Sequence, residues 1–159
     1  MSTIVRAELN RPEHATALVT LLDAYARDPM GGGEGLADEV KQRLPGALAA
    51  RAGTHVLIAF EEGEPAGIAV AFEGFSTFAC APLLNLHDFA VRPEFRGRGI
   101  ARALLEELAR QGRELGCCKL TLEVLDKNVP ARRLYRASGF ADYALDGAFG
   151  CAQFMQRWL

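Results

Sequence analysis

Apolar residues along the chain change their spacing several times, and each change marks an element. Ile4-Val5-Arg6-Ala7 reads as a short first strand. From Pro12, which suits a first helical turn, Ala15, Leu18, Leu21, Leu22 and Tyr25 recur at helical spacing until Asp28-Pro29 stops the helix. Met30-Gly31-Gly32-Gly33-Glu34-Gly35 is expected to be a flexible loop, since consecutive glycines leave the backbone unconstrained, with a second helix over about 36–50. Residues 55–60 and 65–72, rich in Val, Ile and Phe, flank Glu61-Glu62-Gly63-Glu64 and predict a hairpin. Residues 84–91 form another apolar strand. Ile100, Ala101, Leu104, Leu105, Leu108 and Leu115 then lay one stripe along a helix that Gly116 ends. A strand over 119–124, a short helix over 130–138 closed by Gly139, and one or two strands near Tyr143 and over 151–158 complete the order β-α-α-β-β-β-α-β-α-β-β. No linker or repeat interrupts it, so residues 1–159 are read as a single domain.

Composition narrows the class. With 159 residues, 50% of them apolar and 24% charged, the chain suits one sizeable core. Its longest apolar runs, such as Val56-Leu57-Ile58-Ala59-Phe60, are strand-sized and well short of the ~20 residues that span a bilayer. No charged segment with an apolar h-region opens the chain, and a soluble, cytoplasmic protein without a membrane partner is expected. A formal charge of -2 argues against a general nucleic-acid binder, so any anion site must be local. Cys80, Cys117, Cys118 and Cys151 lack both the CxxC spacing of a zinc site and the density of a disulfide scaffold, and are expected to be buried free thiols. His14, His55 and His87 lie far apart without metal-ligand spacing, so no metal is expected.

One turn stands apart. Val91-Arg92-Pro93-Glu94-Phe95-Arg96-Gly97-Arg98-Gly99-Ile100-Ala101 joins a strand to an amphipathic helix. Main-chain N–H groups at a helix start lack intrahelical acceptors and sit at the positive end of the helix dipole, so they favour an anion. Gly97 and Gly99 let that anion approach, and Arg92, Arg96, Arg98 and Arg102 add forked donors suited to phosphate. A pyrophosphate is the natural guest. The G-x-G-x-x-G dinucleotide fingerprint fails at Arg102, and the Gly-Lys-Ser/Thr end of a P-loop is missing. Taken alone, the turn also reads as a solvated arginine loop before an ordinary helix.

Arg96-x-x-Gly99-x-Ala101 has the form Q/R-x-x-G-x-G/A, and Asn128-Val129-Pro130-Ala131-Arg132-Arg133-Leu134-Tyr135-Arg136-Ala137-Ser138-Gly139-Phe140 follows in the expected order. Together these resemble the GNAT superfamily of acetyl-coenzyme A dependent N-acetyltransferases, over most of the chain. The resemblance implies an α/β (α+β) fold: a mixed, mostly antiparallel sheet of six to seven strands, about four flanking helices, and a cleft between the strands at 84–91 and 118–124. It also implies acetyl-coenzyme A as cosubstrate. The pyrophosphate would lie on the main chain of Arg96, Gly97, Arg98, Gly99, Ile100 and Ala101, and the pantetheine arm along Phe89, Ala90 and Val91.

Acetyl transfer from sulfur to nitrogen requires an uncharged amine, a donor for the developing oxyanion and a proton for the departing thiolate. A strand N–H within 84–91 can serve the oxygen. Tyr135 matches the family position of the acid; its plain alternative is a core aromatic at helical spacing with Ala131 and Leu134. Asn128 reads as a helix cap, and the resemblance adds a hold on the pantetheine arm. Arg132, Arg133 and Arg136 read either as adenosine 3'-phosphate ligands or as solvated surface. Strand alternation places Asn85 and His87 on one face and Leu86 and Asp88 on the other. His87 resembles the base of arylalkylamine acetyltransferases, and the pair His87-Asp88 stands where polyamine acetyltransferases carry an acidic pair. A buried, hydrogen-bonded histidine is the alternative for His87, while Asn85 and Asp88 are substrate-binding candidates. The function implied is direct acetylation of a small-molecule primary amine, with a protein amino group as rival acceptor and a non-catalytic acyl-coenzyme A binding module as rival class. A homodimer is left open.

Overall fold

The computed structural model describes residues 2–144, 148 and 150–159. They fall into two compact units, Met1–Leu122 and Glu123–Leu159. The first holds β1 (Thr3–Arg6), α1 (Pro12–Arg27), α2 (Asp38–Ala50), β2 (Thr54–Glu61), β3 (Glu64–Ser76), β4 (Ala81–Val91), α3 (Ile100–Glu114) and β5 (Leu120–Leu122). The second holds α4 (Val129–Ala137). The five strands form one sheet in chain order, antiparallel from β1 through β4, with β5 added in parallel.

Alternation along β2 and β3 gives the sheet two apolar faces. Val56, Ile58, Ile68 and Val70 point to one side, where Ala17, Leu18, Leu21 and Leu22 of α1 and Leu48 of α2 cover them. The intervening Leu57, Ala59 and Ala69 are buried on the other face. There α3 supplies Ile100, Leu104, Leu105 and Leu108. Each such side chain contributes about 1.5–3 kcal/mol when fully buried. Close approach is built in at Gly67, where an added Cβ would lie 3.2 Å from the Ile100 side chain and 3.1 Å from that of Val91. The hairpin between β2 and β3 turns on Glu62 and Gly63, with φ of 53° and 84°, the positive pair that a tight two-residue loop demands.

Among the described residues, four helices and a mixed sheet agree with expectation, but the sheet has five strands rather than six or seven. The strand expected over 151–158 is absent among the described residues. Only an isolated antiparallel bridge joins Ala144 to Cys151, and Ala152 N–H donates to the Tyr143 carbonyl at 3.1 Å. Phe154, Met155 and Trp158 of this tail are exposed, so no buried face fixes a strand register there.

The glycine run is not an unconstrained loop. Residues Pro29–Gly31 form a 3-10 turn, Gly31 N–H donates to the Asp28 carbonyl at 2.8 Å, and Gly33 N–H reaches the Ala26 carbonyl at 2.9 Å. A Cβ on Gly31 would sit 1.9 Å from the Tyr25 carbonyl oxygen, so glycine here serves close packing. The cysteines also depart from expectation: Cys80, Cys118 and Cys151 are exposed and Cys117 is half-buried. They stand in connections and the tail, which run over the surface because buried loops leave polar backbone unpaired.

Candidate active site

The arginine turn begins where β4 ends. A 3-10 turn over Pro93–Phe95 leads to Arg96, and α3 starts at Ile100 with Gly99 as its N-cap. Gly97 and Gly99 have φ of 76° and 81°, conformations that cost a side-chain-bearing residue about 1–2 kcal/mol. Among the described residues, a Cβ at either would meet nothing within 4 Å, so the space over both glycines is open. Among the described residues no side chain caps α3, and its first described backbone bond runs from Ala103 N–H to the Gly99 carbonyl at 3.0 Å. The earlier N–H groups therefore lie at an open, glycine-lined helix start, a cradle that fits a pyrophosphate.

The arginines are more committed than their sequence suggests. Arg96 donates from Nε to the Val91 carbonyl at 3.0 Å and from Nη2 to Asp28 Oδ2 at 2.9 Å. Arg92 bonds the Pro65 carbonyl at 3.0 Å and pairs with Glu94 at 2.6 Å. Arg98 donates to the Glu94 carbonyl at 3.3 Å, and Arg102 pairs with Glu106 at 2.9 Å. Arg92 and Arg98 both stack on Phe95, 5.3 and 5.5 Å from its ring centre. The Arg96 hydrogen bond, and after it the Met30 N–H, holds the Asp28 carboxyl below the usual aspartate range.

Along β4 the predicted alternation breaks at His87. Ala71 of β3 faces Leu86 while Val70 faces Asp88, so His87 is an extra residue in a β-bulge. Leu84 and Leu86 are buried on the α3 side of the sheet. Beyond the bulge, Asp88 shares the face of Val70, and Ala90 packs into the α1–α2 core. Asp88 thus does not share the face of Leu86, as alternation predicted. His87 is exposed, its ring edge-on to Phe72 at 5.4 Å, which sets aside a buried, hydrogen-bonded histidine. Asn85 Nδ2 donates to Thr121 Oγ1 at 3.1 Å across to β5. The β4–β5 ladder ends at Leu86–Leu122, whereas β4 continues against β3 through Phe89 and Ala90 to Val91.

Burial raises the Asp88 carboxyl above the ordinary range, an effect that His87 partly offsets. Tyr25 of α1 was legible only as an apolar helix position. Its phenol is pushed up by burial first and then by the carboxylates of Asp88 and Asp28. Leu21, Tyr25, Asp28, Ala90, Val91 and Arg96 line a pocket of about 20 Å³, the room of one water molecule. No local signal announces this grouping, because Asp28 and Arg96 are 68 positions apart.

In the second unit Asn128 caps α4, its Oδ1 accepting from Ala131 N–H at 3.3 Å, so the capping role is present and uses the oxygen. The Tyr135 ring is buried, 5.8 Å from that of Phe140. Arg132 donates to the Asp126 carbonyl and Arg136 pairs with Asp142. Among the described residues, no group of three or more His, Cys, Asp or Glu side chains is placed to hold a metal, and no helix is long and apolar enough to cross a membrane.

A mixed sheet with an open helix-start cradle beside the end of β4 defines a class. Residues 16–140 match the Acetyltransferase (GNAT) family. The chain belongs to that family and is an acyltransferase. Thialysine N-epsilon-acetyltransferase of Caenorhabditis elegans is 28% identical over 152 residues, 86% of this chain and 89% of that protein. Streptothricin acetyltransferase of Streptomyces lavendulae is 40% identical over 87 residues, 55% of this chain and 44% of that one. Among solved structures, AAC(6')-Iy in complex with a bisubstrate analogue, CoA-S-monomethyl-acetylneamine, shares the fold with a TM-score of 0.74 at 20% identity, over 99% of both chains.

Proposed function

We propose that the protein transfers the acetyl group of acetyl-coenzyme A to the primary amine of a small molecule. The observation that carries this reading is the α3 start, where two positive-φ glycines leave the helix N-terminus open. The names of the thialysine and streptothricin enzymes favour a small amine over a protein acceptor.

Acetyl-coenzyme A brings the acetyl group as a thioester, already activated toward nitrogen. The main chain of residues 96–101 takes the pyrophosphate and that of Phe89, Ala90 and Val91 the pantetheine arm. Asn128 adds its amide nitrogen, which the cap does not use. Asp88 and Asn85 hold the amine. His87 accepts its proton, directly or through water, as the new C–N bond forms and the C–S bond breaks. Tyr135 donates a proton to the departing thiolate. Exposure of His87 supports its role, since a base must reach solvent to lose the proton again.

The test is incubation with acetyl-coenzyme A and a library of small primary amines, reading thiol release and product mass together. Amine-dependent release with a matching acetylated product is expected. Release with peptide amino groups alone, or with none of the amines, would overturn the reading.

A further inference from the structure

We propose that Asp28 is a positioning residue for the cofactor turn, acting through Arg96. The inference rests on the reading that the turn takes the pyrophosphate. The two oxygens of Asp28 divide their work: Oδ1 accepts from Met30 N–H at 2.9 Å, and Oδ2 from Arg96 at 2.9 Å. The first bond caps the 3-10 turn, whose backbone is held by the Gly31 and Gly33 bonds and by the close seat of Gly31 on Tyr25. The carboxylate is thereby oriented before Arg96 arrives. Its side chain is 22% exposed against 57% for Arg96, so the acid is the fixed partner and the arginine the one being held.

Arg96 in turn grips the Val91 carbonyl through Nε, tying the turn to the last residue of β4. Its Nη1 donors take no part in either bond. A guanidinium is a rigid planar fork, so fixing Nε and Nη2 also fixes the direction of Nη1. A free arginine would lose that freedom only on binding phosphate, at a cost in affinity. An isolated surface ion pair contributes little. Here the acid is ordered by its own turn, and the pair joins two segments that flank one site. The glycine turn after α1 thus sets the posture of the phosphate turn before α3.

Calorimetric titration with free coenzyme A tests this on the full chain, using Asp28→Ala, Arg96→Ala, the double variant and Gly99→Val. Asp28→Ala should weaken binding about fivefold, the scale of one ordinary net hydrogen bond. In the Arg96→Ala background it should add nothing, because the positioned group is gone. Asp28→Asn, which keeps an acceptor for Met30, should retain the thermal stability lost in Asp28→Ala yet still weaken binding. If Gly99→Val binds as wild type, the reading of the turn falls and this proposal with it. If Gly99→Val weakens binding but Asp28→Ala does not, or Asp28→Ala weakens it equally with and without Arg96, the positioning role alone is overturned.

Discussion

Tyr135 and Asp88 carry separable expectations. Tyr135→Phe keeps the buried ring beside Phe140 and removes only the hydroxyl. Turnover should fall by about a hundred- to ten-thousandfold, on the order of a lost acid catalyst, with little change in coenzyme A affinity. Steady-state kinetics beside calorimetry checks both. Asp88 makes a pH prediction. Burial raises its pKa in the folded chain, so its stability contribution is whole below the ordinary aspartate value and is lost as pH rises through the folded value. Asp88→Asn, neutral throughout, should therefore melt higher than wild type at neutral pH. That gain should vanish below the ordinary aspartate pKa of about 4. Melting curves across this range would show a constant offset if burial of the charge were not the cause.

At the scale of elements, glycines of one run should behave differently. A Cβ on Gly31 would lie 1.9 Å from the Tyr25 carbonyl oxygen, whereas one on Gly33, at φ 87°, would meet no described atom within 4 Å. Gly33→Ala should cost about 1 kcal/mol from backbone strain alone, and Gly31→Ala clearly more, as read by urea denaturation. α2 offers the opposite case. Pro45 stands inside it, removing a helix hydrogen bond, and Leu48 is its one buried residue. Pro45→Ala should stabilise the protein by about 1–3 kcal/mol in the same assay. The sequence marked both helices well, since their apolar spacing is local. It could not show that Gly31 is packed, because Tyr25 is brought against it only by the chain reversal.

For the whole molecule, cofactor and fold should be linked. A ligand that binds only the folded chain stabilises it by about 2.7 kcal/mol at a hundredfold excess over Kd, about 5–10 °C in melting temperature for a chain of this size. Coenzyme A should produce that shift in wild type and far less in Gly99→Val, whose added side chain would occupy the open space over the turn. An equal shift in both would place the cofactor elsewhere.

Sequence by itself determined the succession of helices and strands through α4, the hairpin at Glu62-Gly63 and the glycine-arginine turn at the head of α3. All of these depend on neighbours within a few positions: apolar period, turn chemistry, a missing Cβ. Cys80, Cys118 and Cys151 are exposed, against the expectation of burial, because residue type states a preference for burial while position decides it. The tail's expected strand failed for the same reason, as its apolar residues had no face to meet. Only the tertiary structure decided that His87 bulges from β4 and turns Asp88 toward Tyr25, since register is a property of two strands together. It alone joined Asp28 to Arg96, for their pairing depends on the sheet and α1 bringing distant charges within hydrogen-bond reach.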